Sequence, residues 1–136
     1  MINDPSSLAI LTVATVLWSI GWALDVGTTW RGIQALGDDI RLERNPIARA
    51  LFRRFPLPVA FGLLLCLESA VIALHWLWAA YLPWSLSSEV AAVFAALSIL
   101  MGGLGHAFAA HANHTGRLPR ILRPIMHIYA WIDRRC

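Results

Sequence analysis

Asp25 interrupts an otherwise uncharged, strongly apolar stretch that begins near Leu8, and an ionisable side chain in such a place marks a candidate site. Thr28 and Thr29 follow it three and four residues later, and Gly21 precedes it by four, so on a helix all of them share its face. Glu43 and Asn45 come next, in a loop that also carries Arg44 and Pro46. Far along the chain, His106, His111, Asn113 and His114 gather near the end of another apolar stretch. His106 and Asn113 are seven residues apart and share a helix face, whereas His106 and His111 point about 140° apart. Carboxylates and imidazole are the materials of a hydrolytic metal centre, with Asp25 and His106 as ligands and Glu43 as a ligand or the base that activates water. A hard, carboxylate-rich site and a zinc site built from Asp25, Glu43 and one histidine are the two forms this would take. The histidine pair four residues apart that zinc-binding helices favour is missing.

His106 also admits a second chemistry. Gly102 lies four residues before it, a small residue where a haem or pigment ring needs room, and the imidazole would be the axial ligand. His75, the other intramembrane histidine, falls toward the opposite end of the bundle and cannot complete a pair with it. Glu68 stands apart from these groups as an intramembrane acid, about 16 Å along its span from Leu57, with Ser98 at comparable depth as its expected partner. Each group has a plainer reading. Asn45-Pro46 is what a helix start wants, Asp25 with its threonines serves equally as a hydrogen-bonded cluster that positions helices, and a loop Glu43 pairs readily with a nearby arginine.

The elements that must carry these residues are membrane helices. In a chain of 136 residues, 58% are hydrophobic and only 14% charged, a balance foreign to a soluble domain of this size. Three stretches reach the roughly 20 apolar residues that a bilayer requires, at about 8–30, 57–82 and 89–112. Between the first two, Asn45 as cap and Pro46 at the first helical position open a short interfacial helix over 46–55, ended by Pro56 and Pro58. A second interfacial helix is expected over 124–135. With no repeat, no low-complexity tract and no glycine-rich nucleotide loop, residues 1–136 read as one all-α membrane domain.

All eleven basic residues are arginine, six between the first and second spans and five after the third. Because short cytoplasmic loops collect arginine, the N-terminus is expected outside, the 31–56 loop inside, the 83–88 hairpin outside and the C-terminus inside, in a prokaryotic cytoplasmic (inner) membrane. Asp25 then falls near the inner boundary of the hydrocarbon, with Glu43, Asn45 and the 106–114 histidines on the same side. Trp76, Trp78 and Trp84 would form the outer aromatic belt. The first span lacks a basic region before it and should be retained rather than cleaved as a signal peptide. The positive charge sits at membrane boundaries and answers to topology and lipid head groups, so the expected partner is the bilayer and not nucleic acid. Cys66 lies within a span and Cys136 ends the chain, which excludes a disulfide framework.

The segments Leu24-Asp25-Val26-Gly27-Thr28-Thr29 and Leu42-Glu43-Arg44-Asn45-Pro46 resemble a family of small uncharacterised prokaryotic multi-pass membrane proteins with an Asp-x-x-Thr-Thr and Glu-x-Asn-Pro pattern. The resemblance covers roughly residues 18–75. It implies that Asp25, Thr28, Thr29, Glu43, Asn45 and Pro46 belong together, and it supplies no activity. Members often carry a lysine in the second span, where this chain has Glu68.

Small size, the lack of a soluble domain and the lack of a strong catalytic signature favour a non-enzymatic accessory or assembly subunit, packed in a larger membrane-protein complex or homo-oligomer. The alternatives are an inner-leaflet metal-dependent hydrolase using Asp25, Glu43 and His106, and a haem or pigment carrier through His106.

Overall fold

The computed structural model describes residues 4–35, 37, 43, 45–81 and 87–117. Helix α1 spans Pro5–Ala35, α2 Pro46–Arg54, α3 Leu57–Tyr81 and α4 Ser88–Thr115. Three of these, α1, α3 and α4, are long and apolar enough to cross a bilayer. The fold is all-α, a multi-pass membrane bundle with one short helix attached.

Local chemistry sets the helix ends. At α1 the Asp4 carboxylate accepts the Ser7 N–H at 2.8 Å, and Pro5 occupies the first position, where its missing N–H costs nothing. That hydrogen bond holds the Asp4 carboxyl below its ordinary 3.8. Asn45 caps α2 by accepting from the Ile47 and Ala48 N–H groups, while the Phe55 N–H closes the other end on Leu51. Ser87 caps α4, and Gly116, at φ 67°, turns the chain out of the helix in the left-handed conformation that suits glycine. Within α1 the hydroxyls of Thr12, Thr15 and Ser19 donate to carbonyls four residues back, which satisfies them inside an apolar helix.

Helix α1 runs parallel to α4 and packs chiefly on it, with α3 antiparallel to both. Their seam is built from small residues. Leu11, Ala14 and Trp18 of α1 meet Ala92, Ala95, Ala96 and Ile99 of α4, with Ala79 of α3 closing the cluster. At the closest point a Cβ on Gly21 would collide with the Gly103 carbonyl oxygen, and one on Gly103 would stand 2.7 Å from Trp18 Cα. Backbone approach of this kind is how membrane helices gain packing energy without a hydrophobic drive between them. Trp76 of α3 donates to Thr15 Oγ1 at 3.0 Å, the bond that ties α3 to α1 toward their other end.

A second cluster joins the late part of α1 to α2 and the start of α3 through Ile33, Ala48, Phe52, Ala60, Phe61 and Leu64. Phe61 packs on Phe52 and Trp30, with ring centroids 5.0 and 5.5 Å apart. Helix α2 buries Ala48 and Phe52 and exposes Arg53 and Arg54, the amphipathic division expected of an interfacial helix.

Two expected boundaries move. The first span continues to Ala35 rather than ending at 30, because Arg31 folds its side chain back onto the Gly27 carbonyl and Ile33 finds burial under α2. The third continues to Thr115, which keeps Asn113 and His114 on the helix. The expected second interfacial helix at 124–135, Trp84 and Cys136 lie outside the described residues.

Candidate functional site

His106 stands where the three spans meet. Its Nδ1 lies 2.9 Å from Asp25 Oδ2 on α1, and its Nε2 lies 2.8 Å from Glu68 Oε2 on α3. The imidazole therefore spends both nitrogens on carboxylates from two other helices. Trp18, buried two turns before Asp25, presents its ring to the imidazole at a centroid distance of 6.2 Å and an interplanar angle of 77°. The glycine contact of α1 with α4 lies directly beside this node, and it is what lets Asp25 reach across.

The second oxygen of Asp25 is also engaged. Asn113 Nδ2 donates to Asp25 Oδ1 at 3.3 Å and to Thr29 Oγ1 at 2.9 Å, and the Thr29 hydroxyl faces Asp25 Oδ1 at 3.4 Å. Asn113 and His106, two turns apart on α4, thus grip the two oxygens of one carboxylate. Side-chain exposures of 21% for Asp25, 20% for His106 and 26% for Glu68 leave the node partly uncovered on the outside of the bundle.

Depth follows from helix rise. Asp25 is ten residues before Ala35, His106 nine before Thr115 and Glu68 eleven after Leu57, so each lies about 15 Å from the helix end on the α2 side. The three helices agree, and the node sits at one level of the bundle. Helix α1 runs five residues beyond Trp30, so Asp25 lies well inside its helix rather than near its end.

The expected cluster of Asp25, Thr28, Thr29, Glu43 and Asn45 divides into separate groups. Asp25 and Thr29 join the node. Thr28 donates to the Leu24 and Asp25 carbonyls and is spent on its own helix. Glu43 accepts the Asn45 N–H at 2.7 Å, and Asn45 caps α2, so these two residues organise the start of the short helix. Glu68, expected to stand alone with Ser98, instead completes the node, and Ser98 pairs with His75. The His75 Nδ1–H donates to the Val71 carbonyl at 2.8 Å, leaving Nε2 to meet the Ser98 hydroxyl at 2.8 Å.

The antiparallel register contained this pairing. Counted from Ser87, Glu68 is nineteen residues before and His106 nineteen after, while His75 is twelve before and Ser98 eleven after. A depth counted from Leu57 alone does not reveal it.

The geometry also bears on the two ligand chemistries. Among the described residues no group of three His, Cys, Asp or Glu side chains is arranged to hold a metal ion. In the node the reason is visible, since Asp25 and Glu68 engage opposite ring nitrogens and cannot share an ion with either. For a haem or pigment, both nitrogens of His106 meet carboxylates, and Trp18 Cδ1 lies 3.5 Å from where a Gly102 Cβ would be, so the indole fills the room beside that glycine. His111 and His114 are exposed on the last turns of α4.

No family model, no curated protein and no solved structure matches this chain.

Proposed function

We propose that this chain is a non-enzymatic multi-pass membrane protein, an accessory or assembly subunit that packs against partner membrane proteins or against further copies of itself. The observation that carries the reading is the uncovered part of the Asp25–His106–Glu68 node. Partly exposed carboxylate and imidazole atoms on helices long and apolar enough to span a bilayer are costly beside lipid, which cannot hydrogen-bond them, and a second chain packed over them offsets that cost. The node itself joins the three long helices at one point. Its imidazole has no nitrogen left for a substrate, and Glu43, the residue a hydrolytic reading needs beside Asp25, serves the start of α2.

The long spans support the same reading, because most of their apolar surface faces outward and is available for lipid or protein. In this proposal the chain sits in a prokaryotic cytoplasmic membrane with its N-terminus outside and its arginine-rich segments inside, following the distribution of basic residues. The grouping of Asp25 with Thr29 fits the resemblance to the Asp-x-x-Thr-Thr pattern.

Purification in mild detergent with crosslinking in native membranes tests the proposal. The expected result is a crosslinked species larger than the monomer, whose yield falls in Glu68→Leu. A chain that runs as a monomer, with no crosslinked product from membranes, overturns it.

A further inference from the structure

The polar groups of the bundle form a ladder. On α4, Ser98, His106 and Asn113 recur at about two-turn intervals, and they span roughly 22 Å of helix. Each has partners across the bundle: His75 for Ser98, Asp25 and Glu68 for His106, Asp25 and Thr29 for Asn113. Beside the first rung an open groove of about 370 Å³ runs between α3 and α4, lined by Leu74, His75, Trp78, Phe94, Ala95 and Ser98. A structural clamp needs the central rung alone. A ladder with protonatable groups on two rungs and a groove at one end has the parts of a path.

Proton arithmetic defines the central rung. Each of its two short N···O contacts holds one hydrogen, so two protons are distributed over three groups that can all give or take one. Imidazole is the side chain that accepts at one nitrogen while releasing at the other. Chains of Asp, Glu and His inside spans are the means by which membrane proteins move protons. The nearest cation along α1, Arg31, spends its Nε on the Gly27 carbonyl at 3.3 Å and does not fix the charge of the node.

We propose that the Asp25–His106–Glu68 triad is a proton relay through the bundle, with His75 and Ser98 on its groove side and Asn113 and Thr29 on its α2 side. A proton on Glu68 Oε2 passes to Nε2 as the Nδ1 proton passes to Asp25 Oδ2. One O–H bond breaks and one N–H bond forms on the first side, one N–H breaks and one O–H forms on the second, and the charge of the triad is unchanged. Asp25 then gives its proton to water on the α2 side, and Glu68 takes the next proton from water on the groove side. The ring gives its Nε2 proton to water as Nδ1 takes one from water, which restores the starting tautomer, and water is the co-reactant of the cycle. This function goes beyond a packing role and is measurable on the chain alone.

The full-length protein, reconstituted in sealed vesicles of phosphatidylcholine and phosphatidylglycerol with a trapped pH-sensitive dye, provides the test. A potassium gradient with valinomycin drives proton movement. Wild type is expected to carry a proton flux above that of protein-free vesicles, and His106→Gln and Glu68→Gln are expected to lose it. Glu68→Gln keeps a hydrogen-bonding side chain toward Nε2, and matched helicity by circular dichroism shows that the variant is folded. Wild-type flux at the protein-free rate, or wild-type flux in either variant, overturns the proposal.

Discussion

His75 and His106 both reach between α3 and α4, two to three turns apart, and their surroundings differ in kind. His75 meets a backbone carbonyl and a serine hydroxyl, partners that carry no charge. His106 meets two carboxylates and is the described side chain that bonds to side chains of both other spans. One histidine satisfies its own polarity beside an open groove; the other stands between two acids that would otherwise face each other in an apolar bundle. The same residue type is thus a local accommodation at one level and the keystone of three helices at the other.

Removing each keystone tests that contrast, and the largest effect belongs to the node. His106→Leu strips the counter-group from Asp25 and Glu68 together and is expected to cost about 3–5 kcal/mol, as when one partner of a buried ionic group is lost. Unfolding by denaturing detergent, followed by circular dichroism, reads it. A cost as small as that of the serine variant would erase the distinction between the two histidines.

Ser98→Ala, which takes a hydroxyl from His75 and leaves its carbonyl bond intact, should cost only about 0.6 kcal/mol in the same measurement, the usual size for a hydrogen bond between membrane helices. Smaller still is the effect of a carboxylate at the surface. Asp4 has its carboxyl held below 3.8 by the Ser7 N–H, so its contribution to the α1 cap is complete above the unfolded value and fades as pH falls through the lowered folded value. The Ser7 amide shift in an NMR titration should follow that fading, and Asp4→Asn, which caps without titrating, should flatten it. Together the three variants grade a polar group by where it lies: between carboxylates, beside a groove, and in water.

Much of this was legible in the residue order. Hydrophobic length announces the spans, Asn45-Pro46 announces α2, and the seven-residue spacing of His106 and Asn113 puts both on the face that meets Asp25. Glu68 was not assigned to the node because helix phase determines a face and leaves the vertical register between helices open. That register depends on where the hairpin turns, and only counting outward from Ser87 aligns Glu68 with His106. The length of α1 is hidden for a different reason. Arg31 looks like the end of a span, yet its long side chain turns back along the helix and lets α1 run on. Glu43 seemed close to Asp25 because both were assigned to one membrane side, whereas a carboxylate two residues before a cap finds the cap's N–H first.

The seam at Gly21 and Gly103 has a consequence for biogenesis. Among the described spans, the two helices in closest contact are the first and the third to be synthesised, and α3 is made between them. Until α4 arrives, Asp25 and Glu68 have no imidazole between them and Trp18 has no glycine face to lie on. Insertion therefore leaves a waiting state with two acids held in the bilayer, and the last helix releases it. A chain that stops before residue 106 leaves both acids without the imidazole that joins them, so the unfinished bundle differs from the finished one in chemistry as well as in length.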